Sequence, residues 1–183
     1  SVRLAILSII FKAAGLPEKY PIAKFVMWLR EENILEQVKS EVENNGDNWE
    51  EELDNLYVAE SLHEALCKVK PNLFSSPAAC AEVLFNLYPH VEDLSNDEML
   101  KAIKKALTKD GKFPLTLIVL DEVQQYIGES SDRSIAVQEM VEAITKNIGG
   151  KLMFIGTGQT AVTGTANLAR LQGRFTIRIE LSD

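Results

Sequence analysis

The stretch Thr116-Leu117-Ile118-Val119-Leu120-Asp121-Glu122 decides the fold. Four aliphatic residues in a row, with Ile118 and Val119 in the middle, read as a strand buried on both faces. Such a strand belongs in a parallel sheet covered by helices. Asp121 and Glu122 fall where it leaves the core, at the carboxyl end, which is where open α/β sheets place their ligands. Two acids there can hold a hard divalent cation and orient a water. The plain alternative is a buried strand that stops at a solvated acidic pair.

Downstream, residues 123–131 form a connection that starts apolar and ends polar at Gly128-Glu129-Ser130-Ser131. A helix is predicted over about 132–148, with Ile135, Val137, Met140, Val141, Ile144 and Ile148 inward, and Gly149-Gly150 ends it. Leu152-Met153-Phe154-Ile155 reads as a second buried strand. A short helix around 166–171 precedes Gly173. In 175–181, Phe175, Ile177, Ile179 and Leu181 alternate with Thr176, Arg178 and Glu180, as in an edge strand with one wet face. Strand, helix, strand, helix, strand implies two right-handed βαβ crossovers.

Upstream, residues 1–110 read as a helical region, an insert or subdomain, and 111–183 as the α/β part. Residues 2–14 form an apolar helix stopped by Gly15 and Pro17. Residues 22–43 are amphipathic, with a break expected near Asn33 or none. A turn cluster at 44–48 precedes a helix over 49–69, with Leu53, Leu56, Tyr57, Leu62 and Leu66 on one face. Its Glu50-Glu51-Glu52 start matches the helix dipole and is not read as a metal site. A loop spans 71–77, a short helix covers 78–87, and Ser95 with Glu98 forms a capping box for a helix from Asn96 to about Lys109. The lysines at its far end suit the dipole, with a small phosphate-binding patch as the second reading.

Composition narrows the function classes. Apolar residues make up 46% of 183, ordinary for a globular chain with a sizeable core. No apolar stretch approaches the ~20 residues that cross a bilayer, and the apolar start lacks the basic flank of a signal peptide. Cys67 and Cys80 lack metal spacing and read as reduced core thiols of a cytoplasmic protein, and His63 and His90 stand alone. Up to Asp110 there are 12 basic and 19 acidic residues, and from Gly111 on there are 7 and 8. The acidic half is a poor nucleic-acid binder, so any DNA contact falls to the second half or to another part of the protein.

Polar markers follow each strand boundary: Asp121 and Glu122 after the first, Thr157 and Gln159 after the second, Arg170 and Arg174 before the third. Taken singly, the Thr and Gln could cap a turn and the arginines could be surface residues. Jointly they supply what nucleotide hydrolysis needs: a carboxylate for Mg²⁺, one for water, a group sensing the γ-phosphate, and a cation for transition-state charge.

This half resembles the additional-strand P-loop ATPases, the AAA+ and related class. The resemblance implies that Asp121 and Glu122 are the Walker B acids, with Asp121 holding Mg²⁺ and ATP and Glu122 polarising the attacking water. It implies Thr157 or Gln159 as the sensor 1 residue and Arg174, with Arg170 second, as the arginine finger. More narrowly, 117–128 with Asp-Glu-Val-Gln-Gln-Tyr-Ile-Gly, then Thr157-Gly158-Gln159, then Leu171-Gln172-Gly173-Arg174-Phe175, is similar to the large ATPase of bacterial BREX phage-defence systems (the BrxC or PglY kind). That implies work coupled to DNA transactions or to assembly with other defence subunits.

The sequence departs from that family in having no G-x-x-x-x-G-K-[ST]. Gly149-Gly150-Lys151 enters a strand and cannot aim helix-terminal N–H groups at phosphate. The expectation is therefore a partial P-loop NTPase sheet preceded by a mainly helical half. It would be a fragment of a longer ATPase, binding no ATP more tightly than about millimolar, or else a non-catalytic assembly or regulatory module. In that class the phosphate-loop strand sits beside the strand after sensor 1. Its absence would leave unpaired edges, each buried group costing roughly 1–3 kcal/mol. The chain would repair them by pairing 175–181 with 152–155, by laying 2–11 over the gap, or, the favoured outcome, by self-association.

Overall fold

In the computed structural model, residues 1–158, 173 and 177 are described. The protein is a mixed α/β chain, mainly helical, with a small two-stranded parallel sheet. Two compact units divide it: Ile6–Asp93, and Ser1–Ala5 together with the chain from Leu94 on.

The first unit is helical. Helix α1 (Val2–Ala13), which begins in the other unit, ends in a turn closed by Gly15 N–H to Lys12 C=O (3.1 Å) and Leu16 N–H to Phe11 C=O (2.8 Å). That pair of hydrogen bonds needs a left-handed residue, which Gly15 supplies at φ +67°. The same device ends α2 (Tyr20–Glu31), with Asn33 at φ +56° donating to Arg30 C=O (3.1 Å) and Ile34 to Leu29 C=O (3.0 Å). Residues 22–43 are thus two helices, broken at Asn33, the second being α3 (Leu35–Asn44).

The single helix expected over 49–69 is also two, α4 (Trp49–Asp54) and α5 (Glu60–Val69). At ~3.6 residues per turn, Leu53 and Leu62 would lie on opposite sides of one continuous helix. The break lets Leu53, Leu56, Leu62 and Leu66 all be buried. Side chains close it: Glu52 accepts from the Leu62 N–H (2.9 Å), and the buried His63 donates through Nε2 to Leu56 C=O (2.8 Å). Glu52 therefore serves the start of the next helix as well as its own. Helix α6 (Pro77–Leu87) starts at Ser76, whose hydroxyl accepts from Ala79 N–H (3.2 Å). An aromatic cluster binds the unit: Phe25 stacks on Trp28 and meets Tyr88 edge-on, and Trp28 meets Phe74 edge-on.

In the second unit, α7 (Asn96–Leu107) has the expected capping box. Ser95 N–H donates to the Glu98 carboxylate (2.9 Å) and Glu98 N–H to the Ser95 hydroxyl (3.2 Å). Strand β1 (Thr116–Leu120) leads through α8 (Val123–Ile127) and α9 (Ser131–Ile148) to a short turn at Gly149–Lys151 and β2 (Leu152–Gly156). β1 and β2 pair in parallel, Thr116 opposite Leu152 and Leu120 opposite Gly156. The crossover required by the strand-helix-strand pattern is thus present. The second crossover, with the helix at 166–171 and the strand at 175–181, falls outside the described residues.

Three inward assignments are corrected, those of β1, of β2 and of one residue of α9. β1 is not buried on both faces: Ile118 is buried, but Leu117 and Val119 are 54% and 55% exposed, and their neighbours Met153 and Ile155 are exposed too. Helix α9 packs against β2, and Ile118 and Leu152 are buried on one side of the pair; the alternate residues lie on the other. In α9, Val137, Met140, Val141 and Ile144 point inward, but Ile135 is exposed. It falls nearly opposite the Val141–Ile144 stripe at ~100° per residue.

Candidate functional site

The site is built where the paired strands end. Because Leu120 faces Gly156, the next residues, Asp121 and Thr157, emerge side by side at the carboxyl edge. Main-chain bonds lock them: Thr157 N–H donates to Leu120 C=O (2.9 Å) and Val123 N–H to Thr157 C=O (3.3 Å).

One hydroxyl then ties three residues together. The Thr157 hydroxyl donates to the Asp121 carboxylate and accepts from the Glu122 N–H (3.0 Å). A threonine can do both at once. Glu122 itself adopts the left-handed region at φ +47°, which sets how the chain turns on into α8. A non-glycine residue held there stores strain, and such residues concentrate at sites where geometry matters. The turn continues into α8, where Gln125 N–H donates to Glu122 C=O (2.8 Å) and the Gln125 amide donates to the Glu122 carboxylate.

Asp121 and Thr157 are exposed and Glu122 half-exposed, so the site is an open, polar rim. An ionised carboxylate has about four acceptor positions. The Thr157 hydroxyl takes one on Asp121, leaving capacity for a cation or water. Among the described residues, no group of three or more His, Cys, Asp or Glu could hold a metal ion. The donors fit Mg²⁺ as it is held beside nucleotides, by one or two carboxylates with waters and phosphate oxygens completing the octahedron. They do not form an all-protein cage.

Of the predicted site residues, Asp121, Glu122 and Thr157 come together. Gln159, Arg170 and Arg174 fall outside the described residues. Sequence reasoning passed over Gln125, although its position three residues after Glu122 at the start of a helix brings the two side chains onto one face. It also passed over Arg133, which donates to Tyr126 C=O (3.1 Å) and lies over the Tyr126 ring. Cys80 is buried and Cys67 half-buried, both as free thiols; burial, with the Cys67 thiol nearby, pushes Cys80 up to about 12. Neither belongs to the site.

Among the described residues, no helix is long and apolar enough to cross a membrane. No family model matches the chain, and no solved structure matches it.

Proposed function

We propose that these residues form the Walker B and sensor 1 corner of an additional-strand P-loop ATPase, acting on Mg²⁺-ATP. The observation that carries the reading is the hydroxyl bridge between Thr157 and Asp121 across two parallel strand ends. It sets a polar group beside the acid that would face the phosphates. In this reading Asp121 holds Mg²⁺ through its free acceptor positions, and Thr157 orients that carboxylate. Glu122 accepts a hydrogen bond from the attacking water. Mg²⁺, when bound, draws charge from the phosphate oxygens. Arg174, with Arg170 second, would face a neighbouring subunit's nucleotide, and Gln159 is the other candidate for the γ-phosphate contact.

The phosphate loop has to come from outside these 183 residues, since no G-x-x-x-x-G-K-[ST] is present. The narrower assignment, to the ATPase of BREX phage defence with DNA and other defence subunits as partners, rests on the residue strings at 117–128 and 171–175. The reading frame upstream of Ser1 tests the enzyme reading first, because a phosphate-loop motif there supports it. In a chain that carries one, Glu122→Gln should abolish turnover and keep ATP binding, and Asp121→Ala should weaken Mg²⁺-nucleotide binding. Wild-type turnover by Glu122→Gln would remove Glu122 from its role.

A second reading is a non-catalytic assembly module. The exposed apolar side of the sheet, Leu117, Val119, Met153 and Ile155, favours it. Such a module would self-associate. Light scattering that gives a monomer at high concentration would count against it.

A further inference from the structure

Among the described residues, the amino end of the sheet carries lysines that make no ion pair. In residues 6–93, which hold 16 acidic and 7 basic residues, every lysine has a partner. Lys12 pairs with Glu18, Lys19 with Asp54, Lys39 with Glu43, Lys68 with Glu41 and Lys70 with Glu32, and Lys24 lies over the Tyr20 ring. From Leu94 on the pattern reverses. Lys101, Lys104, Lys109, Lys112, Lys146 and Lys151 are exposed and make no ion pair among the described residues.

The topology gathers them. Lys109 and Lys112 exchange main-chain bonds of 3.1 and 2.9 Å across a tight turn, with Asp110 and Gly111 left-handed between them. That turn joins α7, which carries Lys104 in its last turn and Lys101 near its middle, to the start of β1. Thr116 pairs with Leu152, so Lys151, the residue before Leu152, reaches the same edge, followed back along α9 by Lys146. The helix α7 packs on α9. Helix dipoles suit Lys104 and Lys146, each in a last turn. They do not account for Lys109, Lys112 and Lys151, which lie past the helix ends. Asp110 is the one acid between residues 99 and 120.

We propose that this lysine edge, at the opposite end of the strands from Asp121 and Thr157, binds the phosphodiester backbone of nucleic acid. Lysine is a compact point charge on a flexible stem, suited to phosphates at variable positions. Lysine contacts to phosphate carry no sequence information, and among the described residues the edge adds no arginine to read guanine, so binding is independent of sequence. The inference does not depend on ATP hydrolysis at the other end.

The test is fluorescence anisotropy of this chain with a labelled 20-base-pair DNA duplex over a salt series. Four neutralised phosphates give a slope of log K against log salt of about −3.6, a loss of roughly 100-fold between 50 and 200 mM salt. Lys109→Ala with Lys112→Ala should weaken binding about tenfold or more and flatten the slope by about 2. Lys12→Ala with Lys19→Ala, in the other unit, should leave both unchanged. All four positions are exposed, and circular dichroism checks that the variants fold. No binding at 50 mM salt overturns the proposal, as does an equal loss from the Lys12 and Lys19 pair. So does equally tight binding to poly-glutamate, or salt-sensitive self-association that the Lys109 and Lys112 pair abolishes without DNA binding. Those last two results would give the edge to an acidic protein surface or a second copy.

Discussion

Replacing Thr157 by Val tests whether one hydroxyl organises the acidic rim. Valine keeps the β-branched shape and removes the oxygen that donates to Asp121 and accepts from Glu122 N–H. A neutral hydrogen bond contributes ~0.5–1.5 kcal/mol net and one to a charged group ~1.5–3. Both lie at the low end here, because Asp121 and Thr157 are exposed. The expected loss is about 2 kcal/mol, concentrated at the turn, where the left-handed Glu122 then has less to hold it. Amide hydrogen exchange reads this residue by residue. Glu122 N–H should exchange about tenfold faster or more, which corresponds to ~1.4 kcal/mol. Val123 N–H, whose acceptor is the Thr157 main-chain carbonyl, should change far less. Thr157→Ser keeps the hydroxyl and should retain most of the protection at Glu122. Unchanged exchange at Glu122 in the valine variant, or equal loss in the serine variant, would refute the reasoning.

Glu122→Gly should be about 1 kcal/mol more stable than Glu122→Ala, since φ +47° costs an alanine and not a glycine; equal urea midpoints would argue against a left-handed turn. Phe25→Ala should cost ~3–5 kcal/mol by urea unfolding, because it empties a fully buried site that contacts Trp28 and Tyr88; a loss below 1 kcal/mol would mean the cluster is not packed as described. Stability should also fall in alkali. Burial, then the neighbouring Cys67 thiol, pushes Cys80 from 9.0 up to about 12, and burial, then Glu31 and Glu32, pushes Tyr88 from 10.0 up to about 12. The folded state holds these protons more tightly than the unfolded one, so their contribution is complete below about pH 9 and is lost as pH rises through about 12. A urea midpoint that stays flat between pH 9 and 11 would contradict that.

Several features were legible along the chain because they depend on neighbours in sequence. The capping box of Ser95 and Glu98, the stop at Gly15 and the strand at 116–120 are all local signals, whereas the pattern left a break at Asn33 open. The position of Asp121 and Glu122 at a strand's end follows from the same pattern. What needed the tertiary structure depends on phase and pairing. The split between α4 and α5 satisfies the burial of Leu53 and Leu62 together, which a continuous helix with one buried face could not do. The choice of Thr157 as the partner of Asp121 came from the register of β1 on β2, since only that pairing sets two strand ends side by side. The exposure of Leu117 and Val119 was also hidden in the sequence: an aliphatic run states that a strand can be buried on both faces, but the elements packed on each face decide whether it is.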